Sequence, residues 1–179
     1  PGRFRPGAFF LSREERAIAH FTFRTAGETH GPALVTIVEG VPAGLSVRAE
    51  EINRELSRRQ VGYGRGERMR IEKDEVEILS GVRFGKAMGG PVAMLLRNRD
   101  WVNWREKMAQ AGDGEGIPKL DTARPGHADL PGILKYGHGD VRNVLERASA
   151  RETAARVMAG ALAKAFLREH PAVLQQIEG

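Results

Sequence analysis

Residues 149–169 read SARETAARVMAGALAKAFLRE, and their apolar spacing constrains the chain more than any other feature. Ala154, Ala155, Met158, Ala161, Leu162, Ala165 and Phe166 recur at helical intervals. Lys164, Arg168 and His170 gather toward the C-terminal end, where positive charge suits the helix dipole, and Pro171 stops the helix. Ser149 is set as the N-cap, and Glu152 three residues on completes a capping box. The pattern predicts a helix over 149–169 whose apolar stripe another layer must cover. A glycine-rich loop carrying His127 and His138 precedes it, and Arg147 and Arg151 flank its start. Free N–H groups among arginines at a helix start suit an anion.

Upstream the period changes. Phe21, Phe23 and Thr25 alternate with Thr22 and Arg24 and predict a strand, with residues 34–39 (LVTIVE) as its partner across a glycine-bounded turn. On position alone, His30 in that turn reads as a histidine bonded to its own backbone. Residues 49–60 predict a helix with Ile52 and Leu56 as a narrow apolar stripe and acids in the first turn. Residues 76–79, 82–84 and 92–96 predict further strands. Residues 98–108 predict a turn into a short helix, with Trp101 and Trp104 on one face in a core or interface role. Strands first and the long helix last give an α+β fold rather than a regular βαβ alternation. Residues 1–20 show no clean period and are expected to be a poorly ordered N-terminal extension, leaving 21–179 as the folded unit.

The 179 residues contain 28 Lys+Arg against 23 Asp+Glu, a net charge of +5. A basic chain wants an anion: nucleic acid, an acidic membrane surface, or a phosphorylated or carboxylated metabolite. Between 54 and 73, seven basic residues face three acids. Arg59, Arg65 and Arg68 belong to this segment, beside the glycines at 62, 64 and 66, where bare backbone lets a ligand approach. Guanidinium matches phosphate and carboxylate in bidentate fashion. No apolar run nears the ~20 residues that span a bilayer. The chain has no cysteine, which excludes disulfides and zinc–thiolate sites and fits a cytoplasmic protein. No aromatic stacking platform or helix-turn-helix signature supports nucleic acid. His127, Asp129 and His138 lack the paired spacing of a metal site.

Four blocks then stand in unbroken order: GETHG at 27–31, RRQVGYGRGERMRIEKDEVEILSG at 58–81, RPGHAD at 124–129 and ERASARETAARV at 146–157. Together they resemble chorismate synthase from about Phe21 to His170. The resemblance implies a β-α-β sandwich of antiparallel sheets with helices, of which this chain carries the N-terminal part. It implies a 1,4-anti-elimination of phosphate from 5-enolpyruvylshikimate 3-phosphate to give chorismate, at the end of the shikimate pathway, with reduced FMN required and no net redox change. By the same resemblance Arg59, Arg65, Arg68, Arg124 and Arg151 bind the substrate's phosphate and carboxylates. His30 stands beside the leaving phosphate, and His127 stands beside the flavin. Arg147, Ala148 and Ser149 match an FMN-contact segment, and Arg59 and Arg65 match the NADP positions of bifunctional members. Ser149 is thereby asked to serve both as a cap and as a flavin contact. A homotetramer is implied for the full-length enzyme, with no nucleic-acid or membrane partner and no metal.

The chain departs from the family pattern in three places. Thr29 replaces the usual serine but keeps a hydroxyl. Pro131 follows HADL where the family runs a helix, so a helix there is expected to start late with Asp129 as its cap. Family members continue well past Gly179, and the isolated chain is expected to be inactive. The alternative reading is a basic nucleic-acid-binding or non-catalytic interaction module.

Overall fold

The computed structural model describes residues 20–61 and 73–171. Most of the expected N-terminal extension, and the loop bearing Arg65 and Arg68, lie outside the described residues. Four strands form an antiparallel sheet in the order β1 (Thr22–Ala26), β2 (Ala33–Glu39), β6 (Val92–Arg97), β3 (Val76–Ser80). Two short strands, β4 (Val82–Arg83) and β5 (Lys86–Ala87), pair as a separate hairpin. The helices are α1 (Ala49–Gln60), α2 (Asp129–Tyr136), α3 (Arg142–Leu145) and α4 (Glu152–Glu169). This is the α+β arrangement of antiparallel sheet and helices that the sequence implies.

Alternation explains the sheet. Leu34, Thr36 and Val38 of β2 pair across to Leu96, Met94 and Val92 of β6, so all six share one face. All six are essentially fully buried. α4 lies across this face through its small residues Ala154, Ala155 and Ala159, which are likewise buried. The close approach lets the Thr36 hydroxyl donate to the Ala155 carbonyl oxygen at 2.9 Å. α1 packs beside α4 with Ile52 and Leu56 inward, and Glu50 and Glu51 occupy its first turn. On the outer surface Lys164 reaches Glu55 at 2.7 Å, and Arg168 reaches Glu51.

Three local expectations are corrected. The capping box does not form: Glu152 is the first residue of α4, and its carboxylate turns to Thr25, Arg147 and Arg156 instead of reaching back. The Ser149 hydroxyl accepts from the Arg151 N–H at 3.3 Å, a turn bond two residues on rather than a cap. Asp129 is not a cap either, because Ala128 holds that position and α2 begins at Asp129 without delay. Pro131 falls in the first turn, where its missing N–H had no intrahelical partner to lose. The strand expected at 82–84 is β4, whereas its partner β5 and the helix α3 escaped the periodicity. The β4–β5 hairpin turns through Phe84 and Gly85, both at positive φ (50° and 71°), and α3 spans only four residues.

The β1–β2 connection depends on Gly27. Its φ is +107°, and a Cβ there would lie 2.3 Å from the Ala33 carbonyl oxygen. Gly27→Ala is expected to lower stability by about 1–3 kcal/mol, and Leu56→Ala, at the sheet–helix interface, by about 2–5 kcal/mol. Urea denaturation followed by circular dichroism measures both, and an unchanged midpoint for either variant contradicts this packing.

Candidate active site

The first motif, Gly27–Gly31, is pinned from two sides. The buried Asn98, just beyond β6, donates through Nδ2 to the Glu28 and Gly31 carbonyl oxygens at 3.0 and 2.8 Å. From the other side Glu146, one residue past α3, offers all its acceptors. Its carbonyl oxygen takes the Thr29 N–H at 3.0 Å, and its carboxylate takes the His30 N–H and meets His30 Nδ1, each at 2.8 Å. His30 is therefore not bonded to its own backbone. Its ring stacks on Trp104 with centroids 3.8 Å apart and an interplanar angle of 17°. Trp101 and Trp104 are both half-buried, and the second is spent on this contact. Thr29 is buried and accepts a 3.1 Å bond from the Ser149 hydroxyl, so the threonine does keep the polar link a serine would make.

The second motif reaches the same end of α4 through Arg59, in the last turn of α1. Arg59 Nε donates to the Thr153 hydroxyl at 2.9 Å, and Nη2 donates to the Ala150 carbonyl oxygen at 3.2 Å. Its Nη1 lies 3.5 Å from Asp74, with the Arg59 side chain only 10% exposed. Arg151 lies deeper, its side chain 5% exposed. It gives Nη1 to both Asp74 oxygens at 2.6 and 2.8 Å, and Nε to Asn98 Oδ1 at 3.0 Å. Arg151 therefore sits behind the site's surface, while Arg59 reaches its edge.

Arg124 belongs to the third motif and folds back on Asp129. The buried Asp129 carboxylate accepts from Arg124 N–H, Nε and Nη2 at 2.9, 2.8 and 2.8 Å. Glu146 adds to the field that keeps Arg124 charged. His127 stands exposed on the same loop. Among the described residues its side chain makes no hydrogen bond to the other predicted ones. Arg147 Nη2 donates to the Thr25 hydroxyl at 2.6 Å and to the Thr25 carbonyl oxygen at 3.0 Å. Arg147 Nη1 is buried and has no hydrogen-bond partner among the described residues. Arg147 and Ala148 line a cavity of about 340 Å³ with Tyr136, His138 and Asn143.

Thus residues 27–31, Arg59 and 147–151 form one connected neighbourhood around the start of α4, and Arg124 and His127 stand on the loop that leads into α2. Sequence reasoning passed over Glu146, Asp74 and Asn98. Glu146 and Asp74 both lie inside quoted motifs, where Asp74 is hidden between its charged neighbours Lys73 and Glu75. Among the described residues, no group of three or more His, Asp or Glu is placed to hold a metal ion, and no helix is long and apolar enough to cross a membrane.

The Arg124 hydrogen bonds bring the Asp129 carboxyl down from 3.8 to about 2. A depressed carboxyl stabilises the fold above its unfolded pKa and loses that contribution as pH falls through the folded one. The stability gap between the unmodified chain and Asp129→Asn is expected to be constant above about pH 4 and to shrink toward pH 2. Denaturation midpoints measured across this range test it, and a pH-independent gap contradicts the pairing.

A family profile described as chorismate synthase matches residues 21–177. The chorismate synthase of Chlorobium luteolum is 60% identical over 146 residues, covering 81% of this chain and 37% of that protein. The Aquifex aeolicus chorismate synthase is 59% identical over 154 residues, 86% of this chain and 39% of that protein. A chorismate synthase crystal structure is similar with a TM-score of 0.61 and 47% identity, over 84% of this chain and 35% of that one. The chain therefore spans little more than a third of the length of these relatives. On the profile, the identities and the shared architecture, this chain belongs to the chorismate synthase family.

Proposed function

We propose that this chain serves chorismate formation, the 1,4-anti-elimination of phosphate from 5-enolpyruvylshikimate 3-phosphate. The observation that carries this reading is the meeting of separate motifs, 27–31, Arg59 and 147–151, around one helix start. Their chemistry suits a substrate with one phosphate and two carboxylates. Arg59 and Arg124 are oriented by Asp74 and Asp129, so they meet an anion without first being ordered. Arg65 and Arg68 complete the anion set by resemblance. Arg151 supports it from behind through Asp74 and Asn98. His30 stands beside the leaving phosphate, in reach of proton exchange with it.

Reduced FMN, when bound, supplies the electron density that helps the C–O bond break. The residues present fit such a group. An N–H buried without an acceptor costs about 1–3 kcal/mol, and the orphaned Nη1 of Arg147 is one, beside a cavity that an acceptor-rich ligand can enter. Arg147, Ala148 and Ser149 would hold the flavin there, and His127 would carry the compensating charge at the loop's exposed edge. Ser149 has one hydroxyl hydrogen, which goes to Thr29, and its oxygen, already accepting from the Arg151 N–H, has a second lone pair to offer. NADPH as the reductant of a bifunctional enzyme at Arg59 and Arg65, a homotetramer and a cytoplasmic setting complete the proposal.

Titration calorimetry with 5-enolpyruvylshikimate 3-phosphate tests it. Binding is expected to weaken roughly tenfold, about 1.4 kcal/mol, in Arg59→Ala or Arg124→Ala, and to be unchanged in Arg97→Ala, which removes a strand-surface pair with Glu77. Absence of binding, or equal displacement by duplex DNA, overturns the reading and favours a basic nucleic-acid module.

A further inference from the structure

The Glu146 carboxylate has no part in the reading above, yet it is only 2% exposed and faces the one imidazole of the site that is held on two sides. Its two oxygens divide their work. Oε2 accepts the His30 backbone N–H and Oε1 lies 2.8 Å from His30 Nδ1. An ionised carboxylate only accepts, so Nδ1 must carry a hydrogen for this contact to be a bond. The Trp104 ring closes one face of the imidazole, which fixes its plane. No group among the described residues bonds Nε2, and the His30 side chain keeps 18% of its surface exposed. Glu146 is itself fixed, since its N–H donates to the Arg142 carbonyl oxygen at 3.0 Å and its carbonyl oxygen accepts from Thr29.

We propose that Glu146 is a positioning residue: its carboxylate holds His30 as the Nδ1–H tautomer and leaves Nε2 as the atom that meets the departing phosphate. The role of Nε2 rests on the proposed function, whereas the tautomer rests on geometry alone. With the Nδ1 hydrogen turned to Glu146, a proton taken up on Nε2 is the one that can be offered to a phosphate oxygen.

A single substitution separates this from a merely structural contact. In Glu146→Gln the side chain keeps its shape but has one acceptor oxygen and one NH2 group. The His30 backbone N–H can only donate, so it claims the oxygen. The NH2 then faces Nδ1, and the ring must give up its Nδ1 hydrogen and adopt the Nε2–H tautomer. Nitrogen-15 NMR of the imidazole, read at the alkaline limit of its titration, distinguishes the two forms. The expected result is a protonated Nδ1 in the unmodified chain and a protonated Nε2 in Glu146→Gln, a complete exchange of the two nitrogen signatures. A protonated Nε2 in the unmodified chain, or the same tautomer in both proteins, overturns the proposal. The unmodified chain decides the matter alone if the variant does not fold. A tautomer exchange in a chain that fails to bind the phosphorylated substrate upholds the positioning role and sinks the functional reading instead.

Discussion

The buried pair between Arg151 and Asp74 is the contact on which the site's geometry depends. One guanidinium nitrogen meets both carboxylate oxygens, Nε meets Asn98, and Arg59 approaches the same carboxylate from α1. The end of α1, the approach to β3, the end of β6 and the start of α4 are thereby tied at one point. Asn98 carries the tie onward to the turn of the first motif. Removing one partner of such a buried pair costs about 3–5 kcal/mol, against about 0–1 kcal/mol for an exposed one such as Arg97–Glu77. The chain places its expensive charges where four segments must keep register, and leaves its cheap ones on the surface.

The arginines around the start of α4 do not form a bare cationic cage. Arg59 has Asp74, Arg124 has Asp129 and Arg147 lies near Glu152. Each acid orients its arginine and lowers the repulsion among them before any ligand arrives. An incoming anion then meets donors already aimed, which is what a charge-stabilising site requires. Burial pushes the Glu152 carboxyl up, but bonds from Thr25 and Arg156 more than offset it, so this acid too stays ionised beside Arg147.

Much of this was legible in the sequence, because burial leaves a periodic trace. α1 runs over Ala49–Gln60, as the spacing of Ile52 and Leu56 predicts, and the main strands fall within a residue or two of their alternation. The errors arose where a side chain had two possible partners and the distant one won. Glu152 could cap locally but is drawn to Thr25, 127 positions away in sequence, and Asp129 is taken by Arg124 rather than by its own helix. Four-residue α3 and the two-residue β5 are too short to show any period. The family motifs marked His30 and Arg59, yet neither spacing nor composition could reveal that Glu146 and Asp74 stand behind them. A carboxylate's role as an orienting group is a property of the folded chain.

The central claim is that the Arg151–Asp74 pair sets the geometry of the His30 turn from a distance. Hydrogen exchange at the Thr29 and His30 amides, both held by Glu146, tests it most directly in Asp74→Asn, which keeps the side-chain shape and removes the charge. The account predicts that both amides lose protection together, by roughly tenfold or more, although neither touches residue 74. Unchanged protection at 29 and 30, with faster exchange confined to the immediate neighbours of residue 74, would contradict it.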